Sequence, residues 1–153
     1  MAVAVSPHRT IRRVLTAGAA TTVAMLLAGC LTPEQTTVLN ELNADRSANR
    51  VTVLATQADA QAKAQAWAEK LAREGTLYHS NLSDGINTRW CNLGENVGYG
   101  ATVARIQDAY MASPGHRANV LSTTWNGVGV GHATGKVNGM NVVFTVQVFI
   151  RTC

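Results

Sequence analysis

Hydrophobic positions change their spacing along this chain, and each change marks an element. Val38, Leu39 and Leu42 recur at helical intervals behind Thr32-Pro33-Glu34-Gln35. In that start the threonine caps, proline takes the first helical position and glutamine completes a capping box. The helix is expected to run to about Arg46. Ala60, Ala64, Trp67 and Leu71 repeat the helical period over 57–74, and Gly75 supplies a stop. From Gly75 to Gly100 the chain turns polar and glycine-rich, with room for a short strand at 93–98. A third helix is predicted over 102–112, ended by Ser113-Pro114-Gly115, and a short helical turn follows at 116–121.

The period then falls to two. Valines alternate with glycines over 128–132, so one face is bare and a neighbour can approach closely. Over 141–150, Val142, Phe144, Val146, Val148 and Ile150 line one face. The stretch 135–139 reads as the hairpin loop between them. Helices first and an antiparallel hairpin last predict an α+β layered domain. The alanine-rich second helix is expected to lie flat against the sheet.

The apolar run that precedes all this has no amphipathic period. It spans Val14 to Gly29 behind Arg9, Arg12 and Arg13 and is about 16 residues long, short of the roughly 20 a spanning helix needs. It ends in Leu27-Ala28-Gly29-Cys30, which resembles the lipobox of bacterial lipoproteins. Small residues suit a narrow peptidase site, and the Cys30 thiol is a diacylglyceryl acceptor. The expectation is a cleaved signal, lipid modification of Cys30, and a mature protein on the outer face of the cell membrane. The membrane is then a partner through the lipid anchor.

Export changes the reading of charge and of cysteine. The whole chain of 153 residues carries a formal charge of +4. Three of its 13 basic residues leave with the signal, so a nearly neutral protein remains. No basic cluster with interleaved aromatics tracks a phosphate backbone, and nucleic acid is excluded as a partner. Of the three cysteines, Cys91 and Cys153 remain after Cys30 is acylated. Outside the cell they are expected to pair, closing a loop of about 60 residues worth roughly 3–4 kcal/mol. No CxxC suggests a redox centre or a zinc ribbon. The length favours one domain, expected to be monomeric.

Several short pieces stand in a recognisable order. The alanine-rich helix precedes Tyr78-His79-Ser80, then Gly94-Glu95-Asn96-Val97, then Ser113-Pro114-Gly115-His116-Arg117-Ala118-Asn119-Val120-Leu121. Val128-Gly129-Val130-Gly131 and a terminal Val148-Phe149 strand follow. The ordered set resembles the CAP superfamily (SCP-like) of cysteine-rich secretory, antigen 5 and pathogenesis-related proteins, in its bacterial short form. The resemblance implies a CAP-type α-β-α layered sandwich with a small antiparallel sheet between helices. The chain then divides into a lipoprotein signal peptide at 1–29, a lipidated N-terminus and short tether at 30–35, and a CAP domain at 36–153.

The resemblance also implies a cleft lined by two histidines and two glutamates. Matched residue by residue, these are His79, Glu95 and His116, while the second glutamate falls on Ser113. Two imidazoles near one carboxylate can hold a divalent metal such as zinc, with His79 and His116 as ligands and water completing the shell. They can equally relay a proton, or pin loops by local hydrogen bonds.

Ser80 and Ser113 lie outside any Gly-x-Ser-x-Gly elbow. Asn96 and Asn119 read as backbone-bonding turn residues, and His132 as an exposed residue at a strand end. Trp67, Trp90 and Trp125 read as core or cleft walls. The leading expectation is a non-enzymatic module for a lipid, sterol-type or other small ligand. A metal- or His/Glu-dependent hydrolase and a structural envelope protein are the alternatives.

Overall fold

The computed structural model describes residues 30–153, so the signal-like stretch read at 1–29 lies outside the described residues. Helix α1 (Pro33–Ala48) begins as its sequence dictates. Thr32 accepts from Gln35 N while the Gln35 side chain accepts from Thr32 N. Of the tether read at 30–35, only 30–32 precede the helix. Helix α2 (Ala58–Glu74) is capped by the Gln57 side chain and stopped by Gly75, whose φ of 63° is left-handed.

Strand β1 (Trp90–Gly100) extends beyond 93–98 at both ends, because pairing to a neighbour, rather than local propensity, defines its limits. Thr102 caps α3 (Val103–Ala112). Helix α4 (Pro114–Leu121) starts earlier than read: Ser113 ends one helix and begins the next, and Pro114 fits its first turn.

Strands β2 (Gly127–Val137) and β3 (Met140–Thr152) are longer than read, and the loop between them shrinks to Asn138-Gly139. Both turn residues have positive φ, 50° and 81°, as a tight hairpin requires. Lys136 and Val137 therefore belong to the ladder, opposite Asn141 and Met140.

The antiparallel sheet has the order β1-β3-β2. One face of the central strand, Phe144, Val146, Val148 and Ile150, packs on Ala60, Ala64, Ala68 and Leu71 of α2. On the other face, Phe149 joins Val128 and Val130 against Val38 and Leu42 of α1 and Val120 of α4. Three layers result, α2 on one side and α1, α3 and α4 on the other. Helix α2 touches the sheet because β2 is bare there. A Cβ on Gly129 would fall on the Ala60 carbonyl, and one on Gly131 on the Ala64 carbonyl.

That contact also closes the outer edge of β2. Gln61 bonds both N and O of Val130, and Gln65 both N and O of His132. Val128 is served in the same way by Ala55 O and Gln57 N. Four helical residues rise about 6 Å and two strand residues about 6.6 Å, so the side-chain amides keep register with alternate strand residues. The edge is thereby withheld from other chains.

Cys91 and Cys153 form the expected disulfide, with Cα atoms 5.3 Å apart, tying the start of β1 to the end of β3.

Candidate functional site

Glu95 lies on β1, paired with Val148 and on the face that α2 covers. Its side chain is 1% exposed, yet the carboxylate is fully engaged. His79 Nδ1 and Ser80 N both reach Oε1, at 2.8 and 2.9 Å, and Ser80 Oγ donates to Oε2 at 2.7 Å. A buried carboxylate with three donors is stable where an unpaired one would not be. Nδ1 of His79 carries the proton in this bond, which leaves Nε2 as the free acceptor of an otherwise exposed ring (60%).

The loop that carries His79 and Ser80 is held by α2. Lys63 Nζ donates to the carbonyls of Asn81 and Asp84, and Trp67 Nε1 to that of Tyr78. Asp59 accepts from Asn87 N and from Thr88 N and Oγ1, which lowers its pKa. Burial pushes the Lys63 ammonium down, and the Glu95 and Asp84 carboxylates partly offset this.

His116 comes from the opposite layer, in the first turn of α4. Its ring packs 5.2 Å from that of Tyr110, a buried residue whose hydroxyl bonds Thr145. Burial chiefly lowers the His116 pKa, and the charge of His79 adds to this. The two imidazoles thus lie within electrostatic reach, but His116 bonds neither His79 nor Glu95. Its carbonyl instead accepts from Asn96 Nδ2 at 3.2 Å.

Asn96 and Asn119, expected in turns, prove to be structural pins. Asn96 is fully buried within β1, because its face opposes α3 and α4 rather than solvent. Asn119 Nδ2 bonds Asn96 Oδ1 and the Glu95 carbonyl. From there a chain of amides runs through the core. Asn96 donates to Gln147, Gln147 to Gln107, and Gln107 to the carboxylate of Asp45. Composition gave no hint of it, since glutamine and asparagine usually face water.

Ser113 offers no carboxylate and makes no capping bond. His132 lies within β2 and is half-buried, because that strand continues to Val137. Trp67 and Trp125 do flank the core, whereas Trp90 is 40% exposed and forms no part of it.

Beside Ser80 opens a groove of about 440 Å³, floored by Ala62, Ala66 and Trp67 and flanked by Lys63 and Lys70. Lys70 Nζ sits 4.8 Å above the Trp67 ring. Trp67 and Tyr78 meet edge to face at 5.2 Å.

The residues fit a metal only in part. Among the described residues, no group of three or more His, Cys, Asp or Glu side chains is arranged to hold an ion. Glu95 is spent on His79 and Ser80, so it could only orient a ligand from behind.

A three-layer α-β-α sandwich with a histidine–glutamate pair at the first strand defines the class. The profile of the cysteine-rich secretory protein (CAP) family matches residues 39–149, and the chain belongs to that family. An extracellular protein of Bacillus anthracis containing an SCP domain is similar in structure, with a TM-score of 0.62 and 24% identity. The match covers 81% of this chain but 45% of that one, so the chain spans under half its length. An outer surface protein of Borrelia burgdorferi matches with a TM-score of 0.63 and 19% identity, over 81% of this chain and 97% of its own. A cysteine-rich secretory protein of Staphylococcus aureus gives 0.61 and 15%, over 78% and 38%. No curated protein matches in sequence.

Proposed function

We propose that this chain is an exported, lipid-anchored CAP domain that works as a ligand-binding module and not as a hydrolase. The observation that carries this reading is the use of Glu95. In a hydrolytic triad the imidazole stands between nucleophile and carboxylate. Here the carboxylate stands between imidazole and serine, so Ser80 Oγ donates to Glu95 and no base withdraws its proton. What remains is a groove in which Ala62, Ala66 and Trp67 lie among the polar side chains of Lys63, Lys70 and Ser80. That suits a lipid or other small ligand whose body lies on Trp67, Ala62 and Ala66. Ser80 is one of the groove's polar lining residues, and His79 precedes it in the chain.

Anchoring is supported by the lipobox-like sequence ending at an exposed Cys30, and export also by the extracellular or outer-surface proteins of similar structure. Native mass spectrometry of the mature protein taken from its own envelope tests both parts. The expected spectrum shows acyl mass on Cys30, absent from Cys30→Ser, and a small molecule lost in Trp67→Ala. Peptide cleavage that depends on intact His79 and His116 would overturn the reading.

A metal-binding reading draws on one feature, the carboxylate-oriented imidazole of His79 with Nε2 free. His79 and His116 would be its protein ligands and the ion would supply a Lewis acid. Only weak uptake of zinc is expected, because two nitrogen ligands remain. Calorimetry showing no zinc binding at neutral pH would remove this reading.

A further inference from the structure

At the far end of α1 a charge lies inside the protein without a counter-ion. Arg46 is 1% exposed, and among the described residues no carboxylate lies within ion-pair distance of it. Its Nε donates to Thr52 O at 2.8 Å, and its Nη1 to the carbonyls of Val120 and Ser122 at 2.6 and 3.0 Å. These bonds clasp the loop after α1 to the C-terminal end of α4, where a cation suits the exposed carbonyls. Among the described residues they leave Nη2 with no protein acceptor. It is not a sealed, unsatisfied atom either, so it keeps contact with solvent.

Beside Arg46 lies a cavity of about 340 Å³. Arg46 lines it together with Val51, Thr52, Val53, Thr123 and Trp125. Three neutral carbonyls spread the guanidinium charge but do not cancel it, and burial alone lowers the Arg46 pKa. The cavity thus joins a buried cation, two threonines whose hydroxyls make no bond among the described residues, and an indole wall. The Trp125 ring is fixed by Phe149 behind it and by its Nε1 bond to Asn119 O at 2.9 Å. It shares no lining residue with the groove beside Ser80.

We propose that this cavity is a second ligand site, for a small organic carboxylate with a flat or short apolar body. One carboxylate oxygen takes the free Nη2, the Thr52 and Thr123 hydroxyls are donors for the other, and the body lies on Trp125 and Val53. One free guanidinium nitrogen matches a single negative charge, while a doubly charged phosphate would call for more cationic donors than the cavity holds. The proposal does not rest on the function given to the His79–Glu95 pair.

Benzoate is the probe and benzamide its neutral isostere. The chain has three tryptophans, so its indole N–H resonances report on separate places. Benzoate is expected to shift the Trp125 resonance saturably and leave that of Trp67 in place, and benzamide to do neither. Replacing Arg46 would also undo the clasp, so the decisive variant is Thr123→Glu on the rim, which sets a resident carboxylate beside the guanidinium. It should melt as a folded protein and bind benzoate at least about tenfold more weakly. Equal response to benzamide, no benzoate-dependent shift of Trp125, or unchanged binding by folded Thr123→Glu would each overturn the proposal.

Discussion

Replacing Glu95 by glutamine removes a charge from a buried, fully bonded position and changes almost nothing else. In the native protein three donors, His79 Nδ1, Ser80 N and Ser80 Oγ, converge on two carboxylate oxygens. The glutamine oxygen can take the place of Oε1 and keep the first two. The new amide then faces Ser80 Oγ, which must rotate from donor to acceptor. All groups stay paired, so the loss is the charge assistance of three hydrogen bonds. A bond to a charged group contributes about 1.5–3 kcal/mol against about 1 for a neutral one. Part of that difference is returned, because the buried charge no longer has to be desolvated. The expected net loss is about 1–2 kcal/mol by urea unfolding.

Glu95→Ala strands the Ser80 N–H, leaves the exposed imidazole to water and should cost about 2–4 kcal/mol. Nitrogen-15 spectra of His79 supply the second readout. The proton sits on Nδ1 in the native protein and in Glu95→Gln, and that preference disappears in Glu95→Ala. A Glu95→Gln protein within about half a kcal/mol of the native one would show that the charge contributes nothing. A native His79 protonated on Nε2 would refute the orientation argued for the site.

Gly131→Ala places a methyl on the Ala64 backbone and should destabilise by about 1–3 kcal/mol, read by thermal unfolding. The same change at Gly115, where a Cβ meets nothing within 4 Å, should cost far less. Cys153→Ala should lose about 2–4 kcal/mol, and both thiols should resist alkylation until reduced. Because burial and His79 lower the His116 pKa, the unfolded chain binds its proton first as pH falls. Stability from this residue is full above the ordinary imidazole value of about 6.5 and is lost between that pH and the lower folded-state pKa. His116→Gln should therefore show a shallower fall of stability with acid over that range, and an unchanged slope would contradict the assignment.

Local rules decided much of this fold before any packing. Thr32, Pro33 and Gln35 specify the start of α1 by bonds within one turn, and Gly75 ends α2 because a left-handed residue is needed there. The glycine–valine alternation of β2 foretold a close neighbour on its bare face, and the fold supplies α2 there. The hairpin was legible as a loop at 135–139, and pairing of Lys136 and Val137 narrowed it to Asn138-Gly139.

Other features depend on residues far apart in the chain. Strand limits follow pairing, so β1 gained Trp90 and Gly100 only because β3 lies beside it. Order along the chain named His79, Glu95 and His116 through family likeness. Only the folded protein shows His79 and Ser80 spending the carboxylate while the His116 carbonyl is held by Asn96. The amide chain from Asn119 to Asp45 and the unpaired Arg46 left no trace in composition or period. Polar residues carry no signal of burial until the whole core encloses them, because water and a buried partner satisfy the same bonds.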